Sequence, residues 1–325
     1  MMNPQLGRLG SVSPSLLNGG SAKPIFRGDL VDFFTFKGKG NIDLDRNTIT
    51  GLLENKLTAY NFEWSLMSGY GGYNENYLTY SKVENVFVTN DHSITIMNFV
   101  PANSWVVSKY GNSALKSTKI KVAGLTSDDQ LEYGYSPSNE GARVMMPIPK
   151  DGIYDLPESV VNQSTYNIGF FLRSALTKNV TIEQIPLYEG AIVTDGVNDY
   201  LKLDKTGYKV GTVIIKHKPV RLFNGWQYVL ETSAIRTYMV YNFTDENINT
   251  NFDNYNTVGD YEVGIINTPR LIETPFYIGC QSEIKEFLSM ALYSIAIYST
   301  ALSEEDVQKE ISEAFPKYEQ LILNR

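Results

Sequence analysis

The chain reads as an all-β protein of two β-sandwich, jelly-roll-like domains, with an extended N-terminal arm and one short C-terminal helix. Three observations point there. Its 325 residues include 22 Tyr, 15 Phe and 25 Gly, a tilt toward residue types that favour strands and turns. Short apolar or alternating runs recur roughly every ten residues, the spacing of sandwich strands. Only "SEEDVQKEISEAF" combines helical periodicity with a proper start.

Residues 1–24 are rich in Gly, Ser, Asn and Pro without a sustained apolar period, so they cannot close a core and should form an arm. Next, "LVDFFTF" and "KLTAYNFEW" read as two strands separated by the polar connection "KGKGNIDLDRN", with a Gly/Tyr loop, "GYGGYNENY", behind them. Between about Val83 and Pro186 come nine short runs: "NVFVTN", "SITIMNFV", "SWVVSKY", "KIKVAGL", "QLEYGY", "RVMMPI", "GIYDLP", "YNIGFFL" and "NVTIEQI". These predict a smaller sandwich. From Gly190 the pattern repeats in "AIVTDG", "DYLKL", "GTVIIKHK", "WQYVLET", "TYMVYNF", "YEVGII", "FYIGC" and "MALYSIAIYS", a second sandwich. In the helix Ser303 is the N-cap with Asp306 three residues on, Leu302 and Val307 take the staple positions, and Pro316 should end it.

Composition excludes several functions. A net charge of −8 and a pI near 5.0, without a Lys/Arg-rich run, disfavour a nucleic-acid partner. Nowhere do about 18 consecutive apolar residues occur, as a membrane span requires, and the opening lacks a signal-peptide core. The single Cys280 permits no intramolecular disulfide and no Cys-type zinc site, and reads as a small core residue. Retaining glycosidases need two carboxylates about 5 Å apart, and no strand carries Asp or Glu at alternate positions to present them. His92 falls in a turn and His217 on a strand, with no Gly-x-Ser-x-Gly elbow for either to serve. "GKGN" and "GYGGY" lack the following helix that would hold a phosphate. The expectation is a protein that is not an enzyme.

The segments "AIVTDGVNDYLKL" and "FYIGC", and above all "MALYSIAIYSTALSEEDVQKEI", resemble laminin-G-like, concanavalin A-like lectin domains. "DRNTITGLLENKLTAYNFEWSLMSGYGGY" resembles the opening of the same domains, although more than a hundred residues separate it here from the Asp-Gly strand. The resemblance therefore implies a discontinuous lectin-like sandwich, from residues 25–75 and 187–325 with the C-terminal helix, interrupted by a smaller sandwich at 76–186. "KDGIYDLPES", "NIGFFL" and "NVTIEQIPLYEG", running into such a domain, resemble virion proteins of tailed phages of gut Bacteroidales. This implies a fibre, tail or decoration component assembled in the host cytoplasm, docked on other virion proteins through its arm, homodimeric or homotrimeric, and displaying its lectin-like domain toward host glycan. The rival expectations are a polysaccharide-cleaving depolymerase and a bacterial glycan-binding surface module.

Sugars stack an apolar ring face on aromatic side chains while Asn and Asp take their hydroxyls. The candidates are Tyr70, Tyr73 and Tyr77 in the Gly-rich loop, Trp105 in the smaller sandwich and Trp226 after "RLFNG", with Tyr70 and Tyr73 the most exposed. Asp195-Gly196 reads as a hairpin corner whose Asp and Asn bond their own backbone. The alternative has Asp195 and Asp199 lending oxygens to calcium, completed by Asp245, Asn247 or Asp253; no other cofactor is expected.

Overall fold

The computed structural model describes residues 26–127, 130–162, 166–223, 225–232, 237–242, 248–282 and 284–325. The expected arm, Asp245 and Asn247 lie outside these residues. The chain begins with β1 (Leu30–Thr35), β2 (Thr48–Thr50), β3 (Lys56–Tyr60) and β4 (Gly69–Tyr70). It continues through β5 (Ser81–Lys82), β6 (Val86–Asn90), β7 (Ser93–Ile96), β8 (Ser104–Tyr110), β9 (Thr118–Ala123) and β10 (Leu131–Tyr135). Then come β11 (Val144–Ile148), β12 (Gly152–Leu156), β13 (Asn167–Leu172), β14 (Val180–Gln184), β15 (Ile192–Val193) and β16 (Tyr200–Leu203). The last strands are β17 (Tyr208–Arg221), β18 (Trp226–Thr232), β19 (Thr237–Asn242), β20 (Ile248–Thr250), β21 (Asn254–Val258), β22 (Tyr261–Ile272), β23 (Phe276–Ile278) and β24 (Ser289–Tyr298).

Four antiparallel sheets result. Two have five strands, in the orders β11-β10-β13-β8-β5 and β12-β9-β14-β7-β6, and all ten strands come from the one stretch between Ser81 and Gln184. Strands β9 and β14 alternate buried and exposed along their length, giving the sheet they share one apolar face, and the other sheet turns Val107, Tyr133 and Phe170 toward it. Those faces meet in a core shared by Ile94, Val107, Ile120, Tyr133, Phe170 and Ile182. The nine runs read from the sequence are all strands.

The two seven-stranded sheets take strands from both sides of that stretch. One runs β21-β22-β17-β24-β15-β4, with β1 also on β24; the other runs β2-β3-β16-β23-β18-β19-β20. Their facing sides close a second core around Phe34, Leu57, Leu201, Ile215, Leu230, Met239, Phe276 and Ile295. Strand β24 is the hub, buried at every position but Tyr293, with β17 along one edge and β15 and then β1 along the other. Its opposite face, through Ala296 and Tyr298, is covered by the C-terminal helix.

That helix starts as the sequence indicates: the Ser303 hydroxyl accepts from the Asp306 N–H, and Leu302 and Val307 are buried together. It does not stop at Pro316. Helix α1 (Glu304–Lys309) widens into a π-turn (Glu310–Ala314) and resumes as α2 (Phe315–Leu323) with Pro316 in its first turn. The wide turn accommodates a residue that lacks an N–H, and first-turn positions tolerate proline. Glu310, buried at the turn, accepts from the hydroxyls of Tyr298 (2.8 Å) and Tyr318 (3.0 Å), while Phe315 and Tyr318 pack on Phe33.

Buried Asp32 in β1 organises the neighbouring loop. Its carboxylate accepts from the N–H groups of Phe33 (2.8 Å), Leu53 (2.8 Å) and Asn55 (3.0 Å) and from Asn55 Nδ2 (2.7 Å). A Cβ at residue 51 would stand 2.5 Å from this carboxylate, which is why glycine occupies Gly51. Replacing Asp32 by Ala leaves the buried Phe33 N–H and the half-buried donors of Leu53 and Asn55 without this acceptor, so D32A should lose about 2 kcal/mol in urea unfolding.

Candidate functional site

The chain leaves the seven-stranded sandwich and re-enters it at adjacent places. Strands β4 and β15 pair, Gly69 opposite Val193 and Tyr70 opposite Ile192. Beyond them the Gly71 N–H donates to the Ala191 carbonyl, and the Leu187 and Tyr188 N–H groups donate to Gly72 and Gly71. Gln184 then bonds Glu75 twice, accepting from its N–H (3.2 Å) and donating to its carbonyl (2.6 Å). Glycine is required along this passage by close approach. Gly69 has φ +145° and a Cβ there would lie 2.5 Å from Asn41 Oδ1; at Gly71, φ is +82° and Pro186 would be met at 2.8 Å.

Glu75, buried beneath this seam, also accepts from the Lys116 N–H (2.7 Å), the Tyr80 hydroxyl (3.0 Å) and Lys109 Nζ (3.3 Å). The β6–β7 turn reaches back from the five-stranded sandwich. Asp91 Oδ2 accepts from the Leu66 N–H (3.2 Å) and its Oδ1 lies 2.7 Å from His92 Nδ1. Burial works against the charge on Asp91, yet the His92 contact holds its carboxyl below the ordinary range. With Asp91 ionised, the hydrogen shared by the pair sits on His92 Nδ1. Tyr73 lies flat on the imidazole, centroids 3.9 Å apart and planes within 4°.

A cleft of about 430 Å³ opens over this stack, between the two sandwiches. Its walls are the loop from Lys37 to Asp43, the Tyr70–Tyr73 passage, Asn90 and His92, and the return segment Pro186 to Ala191. Lys37, Asp43, Asn90 and Glu189 supply polar groups, and half-exposed Tyr73 supplies an aromatic one. Burial and the nearby Asp91 push the Tyr73 phenol up to about 12, so it stays a neutral donor.

The other aromatic candidates sit elsewhere. Tyr70 touches the cleft only through its buried flank: the ring stacks on Trp64, and its hydroxyl donates to the Arg46 carbonyl (2.7 Å). Tyr77 is buried, edge-on to Tyr80 and Phe170. Both depart from the exposed loop expected of the glycines, because those glycines bring backbone close to neighbours instead of freeing it. Trp105 is covered by the Arg143 guanidinium, 4.5 Å above its ring, and by Phe171. Trp226 is 40% exposed at the start of β18, outside the cleft.

The Asp195-Gly196 turn is not a hairpin corner. Strand β15 belongs to one seven-stranded sheet and β16 to the other, so the turn arches between sheets. Its local chemistry is the expected one: Asp195 Oδ1 accepts from the N–H groups of Val197 (2.7 Å), Asn198 (3.2 Å) and Asp199 (3.4 Å). Asp199 returns the bond by accepting from the Asp195 N–H (3.0 Å), while burial pushes its carboxyl up to about 7. Thus Asp195 spends its oxygen on amides. Among the described residues no three His, Cys, Asp or Glu side chains converge as a metal set. Asp253 accepts from the Asn267 N–H (2.7 Å) instead, and Cys280 is buried and free.

Neither Asn90, His92 nor Glu189 is singled out by the sequence as a site residue, since the β6–β7 turn that carries the first two lies about a hundred residues from Glu189 and only the return of the chain assembles them. No protein-family model matches the chain, and no curated protein matches it.

A buried polar pair lies away from the cleft. His217 Nδ1 and Glu262 Oε2 face each other at 3.8 Å, with the Tyr241 hydroxyl 3.2 Å from His217 Nε2. Burial lowers His217 to about 4 and raises Glu262 to about 7, the latter against a bond from Tyr255. The signs are opposite. The Glu262 contribution is fully present below its unfolded value of 4.5 and is lost as pH rises through 7; that of His217 is present above 6.5 and is lost as pH falls through 4. Between pH 4.5 and 6.5 the two slopes oppose each other, so stability measured by denaturant midpoint should be nearly flat there and fall only outside that window. Glu262→Gln should leave the His217 slope uncompensated, so that stability rises with pH between 4 and 6.5 by up to about 3 kcal/mol and then stays level.

Proposed function

We propose that this protein is a non-enzymatic structural component of a tailed-phage particle, displaying a lectin-like sandwich that attaches to host surface glycan through the cleft between its two sandwiches. The cleft itself carries the reading. It joins an aromatic surface to carboxylate, amide, imidazole and ammonium groups at neighbouring positions, the mixture that takes a sugar ring by its apolar face and its hydroxyls by hydrogen bonds. The resemblance of "MALYSIAIYSTALSEEDVQKEI" to lectin-like domains supports the same assignment. Single sugar contacts at such a surface are weak. Presentation as a homodimer or homotrimer, held on the particle by the N-terminal arm, would raise the avidity.

Fluorescently labelled protein should bind encapsulated host cells saturably and lose that binding when the capsule is removed. Tyr73→Ala should weaken binding roughly fivefold, the loss of one aromatic contact of about 1 kcal/mol. Equal binding with and without capsule would contradict the assignment.

A second reading, a glycan-cleaving depolymerase, draws on one observation: Asp43 and Glu189 line the same cleft as an imidazole oriented by a carboxylate. The first reading predicts no release of reducing ends from capsular polysaccharide. Release abolished by Glu189→Gln would establish the second.

A further inference from the structure

The five-stranded sandwich has a cleft of its own, about 390 Å³, along the edge strand β5 and its neighbour β8. That size lies within the range of small-ligand clefts, about 300–1,000 Å³. Its lining is unusual for this chain. The protein carries a net charge of −8, yet the cleft is walled by Ser, Asn, Val, Tyr, Trp and two lysines, with no Asp or Glu.

The two lysines differ. Lys109 reaches inward, 3.3 Å from Glu75 and over the Tyr80 ring, so its charge is largely answered. Lys82 is exposed on the edge strand and has no ion pair among the described residues. A third cation stands behind the wall. Arg143 lies over Trp105 and 5.5 Å from the Tyr166 ring, and its Nη1 donates to the Asn167 carbonyl (2.9 Å). Its buried Nε–H finds no acceptor, and no carboxylate pairs with it among the described residues. Trp105 and Asn167, the two groups it rests on, both line the cleft.

An unanswered positive field on an acidic protein selects an anion, and the rest of the lining says which kind. A phosphate would favour converging backbone N–H groups or a helix N-terminus. This cleft is built on strands. What it offers are the hydroxyls of Ser81 and Ser104, the Asn167 amide and the ring of Tyr110, which is 63% exposed. Hydroxyls, an amide and an open aromatic face suit a pyranose ring. We propose that this cleft binds a carboxylate-bearing saccharide, its carboxylate meeting Lys82 in the field of Arg143 and its ring lying against Tyr110. The assignment stands on residues separate from the Tyr73–His92 cleft and does not depend on that cleft binding glycan.

Calorimetric titration of the full chain with trigalacturonate and with sialyllactose tests it, against their neutral counterparts galactotriose and lactose and against triglutamate as an acidic peptide. At least one acidic saccharide should bind, more weakly as salt is raised, with the neutral counterpart at least about tenfold weaker. Lys82→Ala, an exposed substitution, should cost a similar factor, and Tyr73→Ala should cost nothing. The proposal is overturned by no binding of either acidic saccharide at millimolar concentration, by neutral sugars binding as well as acidic ones, or by equal binding of triglutamate. Loss in Tyr73→Ala with Lys82→Ala unaffected would also overturn it, since the ligand would then belong to the cleft between the sandwiches.

Discussion

A chain that leaves a β-sandwich, builds another and comes back must close a long loop, and the entropy of that closure has to be met by contacts at the point of return. Here the contacts are backbone hydrogen bonds between β4 and β15, extended by Gly71 to Ala191 and by Leu187 to Gly72, and finished by the two hydrogen bonds between the Gln184 side-chain amide and the Glu75 backbone. Everything else follows from this seam. It lets both seven-stranded sheets complete themselves with strands from either side of the interruption, and it fixes the five-stranded sandwich close enough for Asp91 to bond Leu66 and for His92 to lie under Tyr73.

The seam also explains why polar residues are concentrated where two hydrophobic cores meet. Each core is closed by its own pair of sheets and needs nothing from the other. The ground between them is held by hydrogen bonds to Glu75, Asp91 and Gln184, all buried and all with partners. Buried polar groups of this kind add little net stability but are costly to misplace, so they fix geometry more than they strengthen the fold. A cleft lined by loops from both sandwiches keeps a defined shape under that constraint.

Much of the fold was legible because the strands alternate: "KIKVA" and "VTIEQ" show their inner and outer faces in the letters themselves. The strands that escaped notice lack that signal. Asn254–Val258 is a polar edge strand with no buried residue, and β2, β5 and β20 are two or three residues long. Other departures share a cause, that local chemistry does not report distant pairing. Asp195 bonds its backbone as it would in a hairpin, and only the partners of β15 and β16 reveal an arch between sheets. Pro316 is a sound stop signal that a π-turn circumvents, anchored by the distant Tyr298 hydroxyl on Glu310. The glycines around Tyr70 read as a loose loop, whereas Asn41 and Pro186 pack against them. Of the candidate site, Tyr73 was legible; its partner His92 and the facing Glu189 were not, since only the fold brings them there.

Site-resolved hydrogen exchange at the seam tests this account most directly. The amides of Gly71, Glu75, Leu187 and Tyr188 should exchange as slowly as those of the central strand β24, because opening them would detach one sandwich from the other. Exchange at the rate of exposed loops, with β24 still protected, would contradict it: the two sandwiches would then be tethered, and the cleft between them would have no fixed shape.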